Sequence, residues 1–364
     1  MELPQELVDA ILYHIGDLSS LKSCSLVATT FAYSARRQIF EKIEISAFPL
    51  PSSNSTGRKF YELLSSSPHI APLVKDLRIV LIQPNKLVEN TPPSHEADSR
   101  ELSLVLCYLI NLTRISLLQN GSKLGGKFRS TKWDSMEDDL KTALVRVFSS
   151  SRLEAVHLRG FSIESPRQLL SLFSQAVSLK EMALSRLYFT QYEPWPESQP
   201  WRPQLRTLLV NDNYSSACCP YLMNPQICLE HVSTLTLVTT SVELRHKMIQ
   251  ATGVESLHLT VYDRIECTPD TFGANLRFIH SWSGEILDIL GTIFETCPPN
   301  SPLEHILIDG RIDLQSRNYR NINATIEATV DRLCALRTIE IRTIPEHAIL
   351  LHNGRRWFKL RYPR

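Results

Sequence analysis

Apolar residues follow two different periods along this chain. In the first 45 residues they recur at three- and four-residue spacing. Leu3, Leu7, Ile11, Leu12 and Ile15 form one set, then Leu21, Cys24, Leu26 and Val27, then Phe31, Ala35, Ile39 and Phe40. That period gives each segment one apolar face and predicts three short helices. Pro4 suits a first helical turn, Gly16 a C-cap, and Ser19 or Ser20 the N-cap of the second helix. Three helices in about 40 residues bury little apolar surface, so such a unit normally leans on a partner.

Beyond this region the pattern becomes apolar-x-x-apolar-x-apolar. It occurs at Val74/Leu77/Ile79, Leu112/Ile115/Leu117, Leu153/Val156/Leu158, Leu179/Met182/Leu184 and Leu205/Leu208/Val210. It continues at Val232/Leu235/Leu237, Val254/Leu257/Leu259, Leu276/Ile279/Ser281, Leu303/Ile306/Ile308 and Leu336/Ile339/Ile341. From Val156 to Ile306 the middle positions are 26, 26, 27, 22, 22 and 27 residues apart. The first two intervals are wider, at 38 and 41, and the last is 33. Each motif predicts a short strand with alternate residues inward. Between strands, residues 135–148 and 166–177 carry helical patterns. Asp134 or Ser135, followed by Glu137, Asp138 and Asp139, suits the first helix start. Strand and helix in series predict an α/β fold, a parallel sheet with helices on its outer side.

Composition narrows the partners. The 364 residues carry 39 Lys and Arg against 38 Asp and Glu, a net charge of +1. That balance gives no general attraction to nucleic acid or an anionic membrane, so neither is expected as a partner. Leu102–Leu112, the longest apolar run, is too short to span a bilayer. The acidic start, MELPQELVDA, lacks the form of a signal peptide, so a cytoplasmic or nuclear protein with reduced thiols is expected. Cys218, Cys219, Cys228 and His231 form the one cluster of metal-ligand types. Adjacent cysteines suit tetrahedral zinc poorly and no second half of a zinc motif exists, so no metal and no cofactor is expected.

The N-terminal string resembles an F-box, at Leu3, Pro4, Glu6, Leu7, Ile11, Leu12, Leu18, Leu21, Cys24, Val27, Phe31 and Phe40. The remainder resembles an irregular leucine-rich-repeat solenoid, with parallel strands on its concave side and helices on its convex side. The resemblance implies an F-box at 1–45, a linker at 46–58 and a substrate-recognition domain at 59–364. It also implies a non-catalytic subunit of an SCF (Skp–cullin–F-box) ubiquitin ligase. Leu3, Pro4, Leu7, Ile11, Leu12, Leu18, Leu21, Val27 and Phe31 would dock the Skp-type adaptor and, through it, the cullin. The repeats would hold an unidentified protein substrate. Two departures stand out: the post-strand Asn occurs only as Asn120 and Asn213, and the first intervals exceed one repeat. A ligase-independent repeat scaffold, its helices used for packing or oligomerisation, fits the same residues.

In such an array the residues flanking each inward pair face the open side of the strands. They include His157 and Arg159, Ala183 and Ser185, Leu209 and Asn211, Thr236 and Val238, and His258 and Thr260. Phe278, His280 and Trp282 follow, and Trp282 is the best aromatic anchor. A one-residue slip at Ser281 would instead bury all three. His258 and His280 hold equivalent positions and would be neighbours about 4.8 Å apart. The proline-rich segment 189–204 offers Tyr192, Trp195 and Trp201, either to a partner or as a cover for a repeat edge.

Enzymatic motifs fail on context. Gly121 to Lys127 fits G-x-x-x-x-G-K, but Phe128 stands where a P-loop needs Ser or Thr. Neither a nucleophile elbow nor a zinc-protease motif occurs. The C-terminal RRWFKLRYPR mixes cations and aromatics and suits either phosphate contact or, better, a final strand or cap.

Overall fold

The structure, a computed structural model, describes residues 3–47, 56–82, 95–120, 131–191, 203–211, 227–238, 247–249, 251–261, 276–283, 301–310 and 337–343, Leu222 and Ala335, and 352–353, 356–357 and 359–361. The chain is α/β and divides into two compact units, Met1–Leu179 and Lys180–Arg364.

In the first unit, α1 (Gln5–Tyr13), α2 (Leu18–Val27) and α3 (Thr29–Glu41) are the three expected helices. Asp17 caps α2 in place of Ser19 or Ser20, accepting from the Ser20 N–H at 2.7 Å. Helix α1 stops at Tyr13, so Gly16 is not its cap. Val8, Leu12, Leu21 and Ala35 form the bundle's core, with Ile15, Cys24, Phe31 and Ile39 packed against them. A polar clamp adds to this: the Ser34 hydroxyl donates to Asp9 Oδ1 at 2.5 Å, and Gln5 Nε2 donates to Asp9 at 3.0 Å and to Ser34 Oγ at 2.7 Å.

Helix α3 runs directly into β1 (Lys42–Ala47). Phe40, Ile43 and Ile45 repeat the strand motif, but Phe40 also fits the helical period, which hides the strand in the sequence. The boundary expected at residue 45 therefore falls inside a strand. Helix α4 (Thr56–Ser66) likewise begins inside the expected linker. Next come β2 (Asp76–Ile82), α5 (His95–Tyr108), β3 (Arg114–Asn120), β4 (Thr131–Lys132), α6 (Asp138–Phe148), β5 (Ala155–Arg159), β6 (Phe161–Ile163) and α7 (Pro166–Phe173). Strands β1, β2, β3 and β5 pair in that order, all parallel. The wide intervals hold more than one repeat needs: β3 to β5 contains β4, a 3-10 turn at Trp133–Ser135 and α6. Helices α4, α5 and α6 pack in series, burying Phe60 and Leu64, then Leu102, Val105 and Leu106, then Leu140, Leu144 and Phe148. Phe148 stacks at 5.1 Å from Phe173 and 6.2 Å from Trp133.

The second unit continues the pattern with β7 (Glu181–Ser185), β8 (Tyr188–Phe189), β9 (Thr207–Asn211), β10 (Thr234–Val238), β11 (Ser256–Val261), β12 (Phe278–Ser283) and β13 (His305–Gly310). It closes with β14 (Thr338–Thr343), β15 (His352–Asn353), β16 (Arg356–Trp357) and β17 (Lys359–Arg361). Strand β17 pairs parallel with β14, so the C-terminal segment supplies a final strand. Met182, Leu208, Leu235, Leu257, Ile279 and Ile306 align in one cross-strand row. All six are buried. They are the middle residues of six motifs, so a single apolar row fixes the register of the sheet. Just before the strands, backbone bonds link Arg206 to Lys180, Ser233 to Arg206, Glu255 to Ser233, Arg277 to Glu255 and Glu304 to Arg277.

Candidate functional site

Two surfaces of the first unit carry unusual chemistry. One is the outer side of the helical bundle. Helix α1 has two apolar stripes, because residues four apart lie above one another. Val8 and Leu12 turn inward, while Leu7 and Ile11, with Leu3 just before the helix, stand outward, each about half exposed. Leu18, Leu26 and Val27 of α2, with Tyr13 and Tyr33, are exposed as well. The bundle's core is filled without them. Eight large apolar side chains thus stand in water within the first 45 residues.

This geometry sorts the nine expected docking residues. Leu3, Pro4, Leu7, Ile11, Leu18 and Val27 are exposed. Leu12 and Leu21 are not available for docking, because their stripe faces α3 and closes the core, and Phe31 packs partly against that core. Helical period alone does not say which of two adjacent apolar stripes is the inward one.

The second surface is a face of the β1–β2–β3–β5 sheet, which lines a cavity of about 490 Å³. One cross-strand row holds Lys42, Asp76 and Arg114, and the next holds Glu44, Arg78, Ser116 and His157. Leu118 and Arg159 follow in a third, and Ile43 also borders the cavity. Arg78 Nε lies 3.3 Å from Glu44 and Arg114 Nε 3.9 Å from Asp76. These pairs are substantially exposed, a setting in which ion pairs contribute ~0–1 kcal/mol. The sequence pattern identifies His157 and Arg159 on this face but not Lys42, Arg78 or Arg114. The signal was present: Glu44, Arg78, Ser116 and His157 are the residues between the last two apolar positions of successive motifs.

In the second unit, His258 and His280 are direct cross-strand partners, as their equivalent positions predict. His258 is half-buried, with Nε2 3.3 Å from Ser256 Oγ. Thr260 pairs with Trp282, and Trp282 with Asp309. Full burial of Ile279 excludes the one-residue slip at β12, so Phe278, His280 and Trp282 hold the register positions alternate to the buried row. Ala183, Ser185 and Val238, expected on the open side, are buried instead. Tyr192, Trp195 and Trp201 lie outside the described residues, as do Gly121 to Lys127, Cys218 and Cys219.

Cys228, Glu230 and His231 bring one donor atom each within 4.8 Å of the others, on the turn before β10. Glu230 was not part of the cysteine cluster seen in the sequence. Glu230 and His231 are exposed, so the trio lacks the enclosing shell that holds structural metal ligands in place. Among the described residues no helix is long and apolar enough to cross a membrane. In sequence comparisons, no protein-family model and no curated protein matches this chain.

Proposed function

We propose that the chain is the substrate-recognition subunit of an SCF-type ubiquitin ligase. Its N-terminal helices bind the Skp-type adaptor, and its strand-repeat units hold a protein substrate. One observation carries the proposal. Leu3, Leu7, Ile11 and Leu18 remain about half exposed on a bundle whose core is already closed by Val8, Leu12, Leu21 and Ala35. Full burial of such a side chain contributes ~1.5–3 kcal/mol, so a partner that covers the exposed half of each gains about 1 kcal/mol per residue. The F-box-like residue order across the same helices supports a Skp-type adaptor as that partner. The register-locked parallel strands fit leucine-rich repeats, whose open strand faces bind proteins. The test is co-purification of the full chain with a Skp-type adaptor, before and after Leu7→Asp combined with Ile11→Asp. Loss of association in the folded double variant is expected. Retention of association refutes the assignment.

The exposed apolar stripe also favours a second reading, a ligase-independent scaffold in which this face meets another copy of the chain. A dimer in solution that the same double variant dissociates, with no adaptor bound, favours the scaffold.

A further inference from the structure

The charged cavity of the first unit has a chemistry that neither the exposed helix stripe nor the buried rows require. Among the described residues its lining carries four cations, Lys42, Arg78, Arg114 and Arg159, against two carboxylates, Glu44 and Asp76. This surplus is local, since the whole chain is only +1. We propose that this sheet face binds an extended acidic peptide segment of a protein partner. If the ligase proposal holds, that segment belongs to the substrate; the binding itself needs no adaptor.

Three observations favour a peptide. The cations and carboxylates alternate across the strands: Lys42, Asp76 and Arg114 follow one another in one row, and Glu44 and Arg78 in the next. A ligand with spaced carboxylates can match that alternation, whereas a continuous phosphate backbone would meet Glu44 and Asp76 at close range. Among the described residues the lining includes no Phe, Tyr or Trp on which a nucleobase would stack. The width also fits. Four strands about 4.8 Å apart span ~15 Å, the reach of about five extended residues. The existing pairs do not block such a ligand, because Arg78 and Glu44 remain more than half exposed and can exchange partners.

The probe is a fluorescein-labelled peptide of about ten residues with alternating Glu and Ser, titrated with the full chain and read by anisotropy. Saturable binding is expected, weakening as salt shortens the screening length. The counterpart with Lys in place of Glu should not bind. Arg78→Glu with Arg159→Glu should weaken binding roughly tenfold, and Glu44→Gln with Asp76→Asn should strengthen it severalfold, because the two pairs shift the local charge in opposite directions. The opposed signs separate a charge effect from misfolding. Leu7→Asp with Ile11→Asp should bind the peptide unchanged, so failure of the adaptor proposal stays distinguishable. Equal binding of the Glu and Lys peptides, insensitivity to both charge variants, or preference for a single-stranded oligonucleotide over the Glu peptide overturns the proposal.

Discussion

Leu12 and Leu7 lie five residues apart on one helix, yet they should fail in opposite ways when truncated. Leu12 is fully buried among Val8, Leu21 and Ala35. Leu12→Ala removes its packing and leaves a cavity, which costs about 2–5 kcal/mol. Leu7 is 52% exposed, so only half of its apolar surface is withdrawn from water. Full burial of a leucine contributes ~1.5–3 kcal/mol, so Leu7→Ala should cost about 1 kcal/mol. The loss falls on the helical bundle, so amide hydrogen exchange in α1 to α3 measures it directly. A cost of 3 kcal/mol raises the opening equilibrium ~100-fold, and 1 kcal/mol raises it ~5-fold. Leu12→Ala should therefore expose the amides of α1 to fast exchange while those of β9 and β10 stay protected. Leu7→Ala should speed the α1 amides only ~5-fold, leave those of β9 and β10 unchanged, and weaken adaptor association. Comparable exchange in the two variants would refute the assignment of inward and outward stripes, and with it the docking face.

Other consequences are sharper for single residues. Gly160 has φ +82°, and a Cβ there would lie 2.9 Å from Gln119 Cβ, so Gly160→Ala should cost ~1–3 kcal/mol and lower the melting temperature. Gly16→Ala, with open space around it, should cost nothing measurable by the same melt. Hydrogen bonds from Ser34 and Gln5 hold the Asp9 carboxyl below its ordinary range. A carboxyl shifted down stabilises the fold above its unfolded value and loses that contribution as pH falls through the folded one. Protection of the bundle amides relative to their intrinsic exchange rates should thus fall below about pH 4 in the native chain, and less steeply in Asp9→Asn. Phe148→Ala, which removes a buried ring between Trp133 and Phe173, should cost about 3–5 kcal/mol in thermal or urea unfolding.

The residue order alone determined most of the periodic architecture. The ten strand motifs reappear as paired strands, and the row through Met182, Leu208, Leu235, Leu257, Ile279 and Ile306 is buried as a period of two requires. Period is a local property, so it is written along the chain. What it cannot express is competition between two periods at one residue, which is why Phe40 conceals β1. It also cannot express which of two apolar stripes finds a neighbour. Leu7 and Leu12 look alike in sequence, and only the approach of α2 and α3 makes one core and the other surface. The charged cavity is the extreme case. Lys42, Arg78, Arg114 and Arg159 are spread over 118 positions of chain, and parallel pairing alone brings them to one sheet face. A local concentration of charge depends on distances in space, and the tertiary fold sets those.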